Sequence, residues 1–412
     1  MIPNFQKIID NGFSSHLKVT VPHQTIPSWP CLFSGQEVDQ LGYYTFIHPI
    51  KGIFNSSVWK EKSILSIPNL KIFALNIPGT YPAWKINGEM IAGILSPSFS
   101  CFPKDLKENL EENWIVEGKN LPEIIKAFEM KTKLFLRKIK EDFDLLVYVI
   151  RLPDAFSHNV IGNEKMISNY IQLAYKKIDD FLGVIIKENN FDNLIIFSDH
   201  GLKFYKKVLN FPRLLEKKGL LYFDDLRTKR LSNIFLKLYD VVRPFIKIHI
   251  IKKFYMKYFD YEKREIQIKK DKGIDLDNTG KPRTFVQKLT SNMGALFLYG
   301  NDRNRLDIIE KSLENDKYVK EIIKYNKSGF PDFLIVLNDK YILTKEPSFF
   351  IKRRTEVFSH TNKGLFLAFG KNIKKGRKEL INYQDIAPTI LKLYGIKKPE
   401  YMNGKILDIL SR

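Results

Sequence analysis

The sequence predicts an α/β protein with a largely parallel sheet, and three observations predict it. Short β-branched or aromatic runs alternate with stretches of helical period along the chain. The composition is that of a globular protein, with 44% hydrophobic and 27% charged residues over 412 positions. Side chains of metal-binding type fall just beyond the apolar runs, where parallel sheets present ligands.

Ile72–Ile77, Leu145–Ile150, Leu194–Phe197, Ala295–Tyr299, Phe333–Leu337 and Leu365–Phe369 are each too short for a helix. They are apolar enough to be buried on both faces, so they read as strands. Leu121–Lys140, Asn163–Lys187, Arg305–Glu314 and Tyr383–Tyr394 repeat their apolar residues near every 3.6 positions and read as amphipathic helices.

One region breaks the alternation. Arg227–Lys270 holds 13 Lys/Arg against 4 Asp/Glu, interleaved with aromatic residues such as Phe235, Tyr239, Phe254 and Tyr258. It reads as a basic amphipathic helical insertion or cap, followed by a polar loop around Asp275–Lys281. The domain division expected is therefore a catalytic core over residues 1–202 and 291–412, split by a helical basic insertion over 203–290. The insertion carries part of the formal charge of +21. Such a balance suits anionic partners, an RNA or an anionic membrane surface among them, and would also steer a phosphate-bearing substrate.

Composition also excludes several classes. Two cysteines, Cys31 and Cys101, cannot make a disulfide framework or a cysteine zinc site. No apolar run approaches the roughly 18–20 residues of a spanning helix. Met1, Ile2 and Pro3 do not open a signal peptide, so a reducing, cytoplasmic setting is expected.

Three places carry the chemistry. Leu145–Ile150 leads into Asp154 and His158, whose four-residue spacing puts carboxylate and imidazole on one helix face. Leu194–Phe197 leads into Ser198, Asp199, His200 and Gly201, with the glycine allowing a sharp exit. His360 immediately precedes Leu365–Phe369. Singly, each motif also reads as ordinary structure: a helix cap, an Asx turn, a loop histidine. Their order along an α/β chain is what makes them specific. His16, His23, His48 and His249 have no carboxylate at ligand spacing and read as structural.

With these motifs the chain resembles the alkaline phosphatase superfamily, in its type I phosphodiesterase/nucleotide pyrophosphatase branch. Pro3, Asn4 and Phe5 through Asn11 and Gly12 resemble the family's first helix. Thr25 to Trp29, ending in Ser34 and Gly35, resembles the nucleophile turn. Asp385 to Thr389, then Gly395 and Met402 to Gly404, resemble the closing segment. The resemblance implies an alkaline-phosphatase-like sandwich of helices around a central sheet. It assigns Asp154, His158 and His360 to one divalent metal, and Asp199, His200 and the nucleophile Thr25 to a second. Zinc suits imidazole and carboxylate ligands, while manganese or iron takes similar sets. The implied reaction is phosphoric ester hydrolysis through a phosphothreonine on Thr25. Cys31 lacks the flanking pattern of the sulfatase branch.

Two departures qualify the resemblance. The family carries an aspartate ligand on a strand before its first helix, whereas this sequence starts at Met1 next to that helix. Either Met1 is an internal methionine of a longer reading frame or the chain is a truncated, weakly active member with an incomplete second site. The presence of the other ligands favours the first. Asp10 reads as a solvent-facing residue of the first helix, not a substitute. Phe46 stands where nucleotide pyrophosphatases often place a phosphate-binding asparagine. Asn76 to Pro82, Gly88 to Gly93 and Asn210 to Leu220 resemble prokaryotic phosphodiesterase-type members instead. A phosphodiesterase acting on a small phosphoester, a nucleotide among the candidates, is the expected function. A phosphomonoesterase or phosphonate hydrolase on the same scaffold, and a basic RNA- or membrane-surface-binding protein, are the alternatives.

Overall fold

A computed structural model describes residues 2–48, 51–110, 114–159, 164–188, 190–221, 284–289, 292–325, 327, 329–344 and 351–411. The basic segment Arg227–Lys270 and the loop Asp275–Lys281 lie outside the described residues.

The chain runs α1 (Pro3–Asn11), β1 (Phe13–Lys18), α2 (Thr25–Ser34), α3 (Val38–Leu41), β2 (Ile47–His48), β3 (Gly52–Ile53), β4 (Ile72–Ile77), β5 (Gly88–Ala92) and β6 (Cys101–Phe102). Next come α4 (Leu121–Lys138), β7 (Leu145–Tyr148), α5 (Leu152–Asn159), α6 (Glu164–Glu188), β8 (Asn193–Phe197), β9 (Gly201–Asn210) and α7 (Phe211–Lys217). It continues through β10 (Phe285–Lys288), β11 (Met293–Phe297), α8 (Leu306–Glu314), β12 (Val319–Lys324), β13 (Phe333–Leu337) and β14 (Tyr341–Thr344). It closes with β15 (Ile351–Thr361), β16 (Lys363–Gly370), β17 (Gly376–Asn382) and α9 (Ile386–Leu393).

These elements form two compact units, one of Met1–Phe46, Ile53–Phe204 and Phe358–Arg412, the other of Ile47–Gly52 and Tyr205–Val357. In the first unit, β4 pairs in parallel with both β5 and β7, and β6 closes the edge antiparallel to β5. All six residues of β4 are buried, five of them apolar and the sixth, Asn76, hydrogen-bonded through its side chain. A second sheet has the order β17, β1, β16, β8. There β1 runs parallel to β17, but β16 is antiparallel to both β1 and β8, so the α/β fold carries mixed sheets. Strand β1 has no continuous apolar run, because Phe13, Ser15 and Leu17 face the core while His16 and Lys18 face solvent.

The core of this unit joins Phe73 and Leu75 of β4 to Phe128 and Phe135 of α4, Phe156 of α5, and Ile178, Phe181 and Ile185 of α6. Helix ends are capped by identifiable groups. Asn120 accepts from Glu123 N at 3.0 Å and donates to the Glu123 carboxylate at 3.0 Å, starting α4. Helix α1 has no capping side chain of its own. Its cap is supplied by Asp179 of α6, which accepts from Phe5 N at 2.8 Å and from Asn4 N at 3.3 Å.

In the second unit, β10, β11, β13 and β12 form an antiparallel sheet. Its core gathers Phe211 and Leu215 of α7, Ile309 and Leu313 of α8, and Phe333 and Ile335 of β13. Strand β14 pairs in parallel with the Lys207–Asn210 end of β9. Both cysteines are free, Cys31 being buried. Among the described residues, no helix is long and apolar enough to cross a membrane.

Candidate active site

Strand pairing brings together residues far apart in sequence. Strand β16 lies antiparallel to β8 with Phe366 opposite Phe197, so the residues after β8 meet those before β16. The turn between them is tight. Ser198 N donates to Leu365 O at 3.1 Å, and Leu365 N donates to Ser198 Oγ at 2.8 Å. A Cβ on Gly201 would stand 2.1 Å from the Lys363 carbonyl oxygen, so only glycine fits. This arrangement stacks the imidazoles of His200 and His360, with ring centroids 3.6 Å apart.

Asp154 and His158 arrive on α5, the helix after β7, and one helical turn aligns them as their spacing requires. Asp154 Oδ1 then faces three imidazoles. It lies 3.1 Å from His158 Nε2, 3.3 Å from His360 Nε2 and 4.0 Å from His200 Nε2. None of these approaches has hydrogen-bond geometry, and Oδ1 is buried without a hydrogen bond. His158 Nε2 and His360 Nε2 are 3.1 Å apart. Asp199 Oδ2 is 3.5 Å from His200 Nε2.

The other ring nitrogens explain this orientation. His200 Nδ1 lies 3.3 Å from Gly201 O, and His360 Nδ1 lies 3.3 Å from His23 O. A carbonyl can only accept, so each Nδ1 carries the proton in these contacts and each Nε2 presents its lone pair to Asp154. Burial lowers the pKa of both rings below that of ordinary histidine, which favours the neutral, ligating form. His158 is shifted the other way, upward, by its approach to Asp154. Burial would raise the Asp154 carboxyl, but the imidazoles of His158, His360 and His200 outweigh it and hold it well below the usual range. Asp199 is pushed up to about 7, first by burial and then by the nearby Asp154 charge, with the Trp29 side chain as a hydrogen-bonding counterweight.

An unsatisfied buried carboxylate oxygen amid imidazole nitrogens is a donor set that could hold a divalent cation. Ligand atoms of Asp154, His200 and His360 all lie within 4.8 Å of one another. Thr25 lies between Gln24 and Ile26, both in extended conformation, ahead of the continuous helical run of α2. Two residues earlier, His23 supplies the carbonyl that faces His360. Four residues after Thr25, Trp29 packs on Phe197 with ring centroids 6.0 Å apart and reaches Asp199. Asp10 lies outside the cluster, its exposed carboxylate accepting from Gln6 Nε2 at 2.8 Å.

In the sequence His23 reads as structural and Trp29 carries no signal of a role of its own. A backbone carbonyl has no sequence signature, and an indole near a strand end reads as core. His249 lies outside the described residues.

The sequence profile of the family described as type I phosphodiesterase / nucleotide pyrophosphatase matches residues 1–360. No curated protein matches the sequence. Among solved structures, murine ectonucleotide pyrophosphatase/phosphodiesterase 5 is similar at 15% identity and a TM-score of 0.58, over 100% of this chain and 95% of that one. An inactive variant of the murine protein in complex with AMP gives 15% and 0.58, over 100% and 94%. The human counterpart gives 15% and 0.58, over 100% and 95%. At that identity the structures speak for the α/β fold, and the family profile carries the rest. The chain belongs to the type I phosphodiesterase/nucleotide pyrophosphatase family and is a hydrolase acting on phosphoester bonds.

Proposed function

We propose that the protein is a metal-dependent phosphodiesterase that hydrolyses small phosphoesters, nucleotides among them, through a phosphothreonine on Thr25. The observation that carries this reading is Asp154 Oδ1, buried and unsatisfied, facing the Nε2 atoms of His158, His360 and His200. Asp154, His158 and His360 would hold one divalent ion, and Asp199, His200 and Thr25 a second. Zinc is the ion that best suits this donor set, with manganese and iron as competitors. The AMP complex of the murine relative supports a nucleotidyl substrate. Phe46, at the position of the family's phosphate-binding asparagine, speaks against a strict nucleotide pyrophosphatase.

Divalent ions, when bound, lower the pKa of a coordinated hydroxyl and offset charge on phosphoryl oxygens. The chain's own part is positioning. Support for Thr25 comes from its two neighbours in the chain, since the His23 carbonyl faces His360 and Trp29 reaches Asp199. Thr25 Oγ1 bonds to phosphorus while the bond to the leaving oxygen breaks, and that oxygen takes up a proton. Water then attacks the phosphothreonine, releasing the phosphoryl product and restoring the hydroxyl.

The test compares two chromogenic substrates on zinc-reconstituted protein. Bis-p-nitrophenyl phosphate should be cleaved faster than p-nitrophenyl phosphate. A preference for the monoester would move the assignment to a phosphomonoesterase, and cleavage of neither would overturn it.

A further inference from the structure

The turn that delivers Asp154 is held by a polar chain leading away from the candidate metal site. Asn76, near the end of β4, has a φ of 63° and is buried. Its Nδ2 donates to Val149 O at 2.7 Å, and its Oδ1 accepts from Lys131 Nζ at 2.9 Å. Lys131 of α4 also donates to Val116 O at 2.8 Å, which fixes the loop just before Glu117. Glu117 forms an ion pair with Arg151, one residue before α5. Arg151 Nε in turn lies 3.6 Å from Asp154 Oδ2.

The two oxygens of Asp154 thus face different ways, Oδ1 toward the imidazoles and Oδ2 toward the guanidinium. A guanidinium this close to a metal ligand has opposing effects. Its charge attracts Oδ2 without a hydrogen bond from Nε, which favours one orientation of the carboxylate, and the same charge repels a cation, which opposes binding. Glu117 offsets the second effect and fixes the guanidinium in place, since paired charges make a nearly neutral unit.

We propose that Glu117 and Arg151 are a positioning pair for Asp154: Arg151 holds Oδ2 so that Oδ1 points at the metal, and Glu117 keeps Arg151 oriented and neutralised. The proposal rests on the metal-site reading above. Neither residue touches the reacting atoms. Removing Glu117 leaves an uncompensated positive charge beside the site, and removing Arg151 frees Asp154 to turn.

The test is zinc affinity by chelator competition, together with the visible spectrum of the cobalt(II)-substituted protein. Wild type, Glu117→Gln, Glu117→Asp, Arg151→Gln and Arg151→Lys are compared, with Asp154→Asn as control. Glu117→Gln and Arg151→Gln should each bind zinc about 10–100-fold more weakly and shift the cobalt bands. Glu117→Asp and Arg151→Lys should recover part of the loss. Glu117 is 43% exposed, so its variants test the pair even where an Arg151 variant fails to fold. Wild type and Glu117→Gln alike in affinity and in cobalt spectrum would overturn the proposal alone. Wild type that binds no metal, like Asp154→Asn, would instead overturn the metal-site reading.

Discussion

His200 and His360 stack face to face, their ring planes only 14° apart, with each Nδ1 turned to a backbone carbonyl. The stack joins the end of β8 to the approach to β16, and both Nε2 atoms are thereby aimed at Asp154. Two elements remote in sequence thus present their imidazoles to one carboxylate.

That register depends on Gly201. In Gly201→Ala the new Cβ would collide with the Lys363 carbonyl, so the turn must open and the His200–His360 stack must part. A stability loss of about 1–3 kcal/mol in urea unfolding, with weakened zinc binding, is the expected result. Unchanged zinc affinity would show that the turn does not set the ligand geometry.

Bound metal should stabilise the fold by mass action. Zinc at about a hundred times its dissociation constant should add about 2.7 kcal/mol, visible as a higher Tm that a chelator reverses. Asp154→Asn should lose most of this response. A Tm indifferent to zinc in the wild type would contradict the site.

Asp179 caps α1 from across the core, accepting from Phe5 N at 2.8 Å and Asn4 Nδ2 at 3.0 Å. Asp179→Ala should cost about 1–3 kcal/mol, because the first N–H groups of α1 lose their acceptor in a buried setting. Urea midpoints measure it, and a change below about half a kcal/mol would assign the cap no energetic role.

Lys131 gives a pH signature. Burial pushes its ammonium down to about 7 from the ordinary 10.5, against the partial support of Glu117. Below about pH 7 the folded and unfolded chains both hold this proton. Between about 7 and 10.5 only the unfolded chain does, so stability rises with pH through that window, by up to about 1.4 kcal/mol per unit. Lys131→Met should remove this slope. Equal pH dependence of urea stability in the two proteins would refute the shift.

The sequence was most legible where burial is continuous. Strands β4 and β13 fall where their apolar runs predict, since both faces are covered. Helices α4 and α6 follow their apolar period to within two residues at each end. Strand β1 was not legible, because Ser14, His16 and Lys18 interrupt its apolar positions. Strand β9 hides behind Lys203, Lys206 and Lys207. At the site, carboxylates and imidazoles beyond apolar runs mark Asp154, His158, Asp199, His200 and His360. What supports them is invisible in sequence. Glu117 and Arg151 are 34 positions apart and meet only through tertiary folding, and the carbonyls of His23 and Gly201 act without regard to side chain.

In the proposed mechanism Thr25 carries the phosphoryl group. The direct measurement is mass spectrometry of zinc-reconstituted protein, acid-quenched during turnover of bis-p-nitrophenyl phosphate. A phosphoryl adduct on Thr25 that is absent from Thr25→Ala, together with loss of turnover in that variant, is the predicted result. Turnover of Thr25→Ala at the wild-type rate, with no adduct on Thr25 in the wild type, would contradict the account.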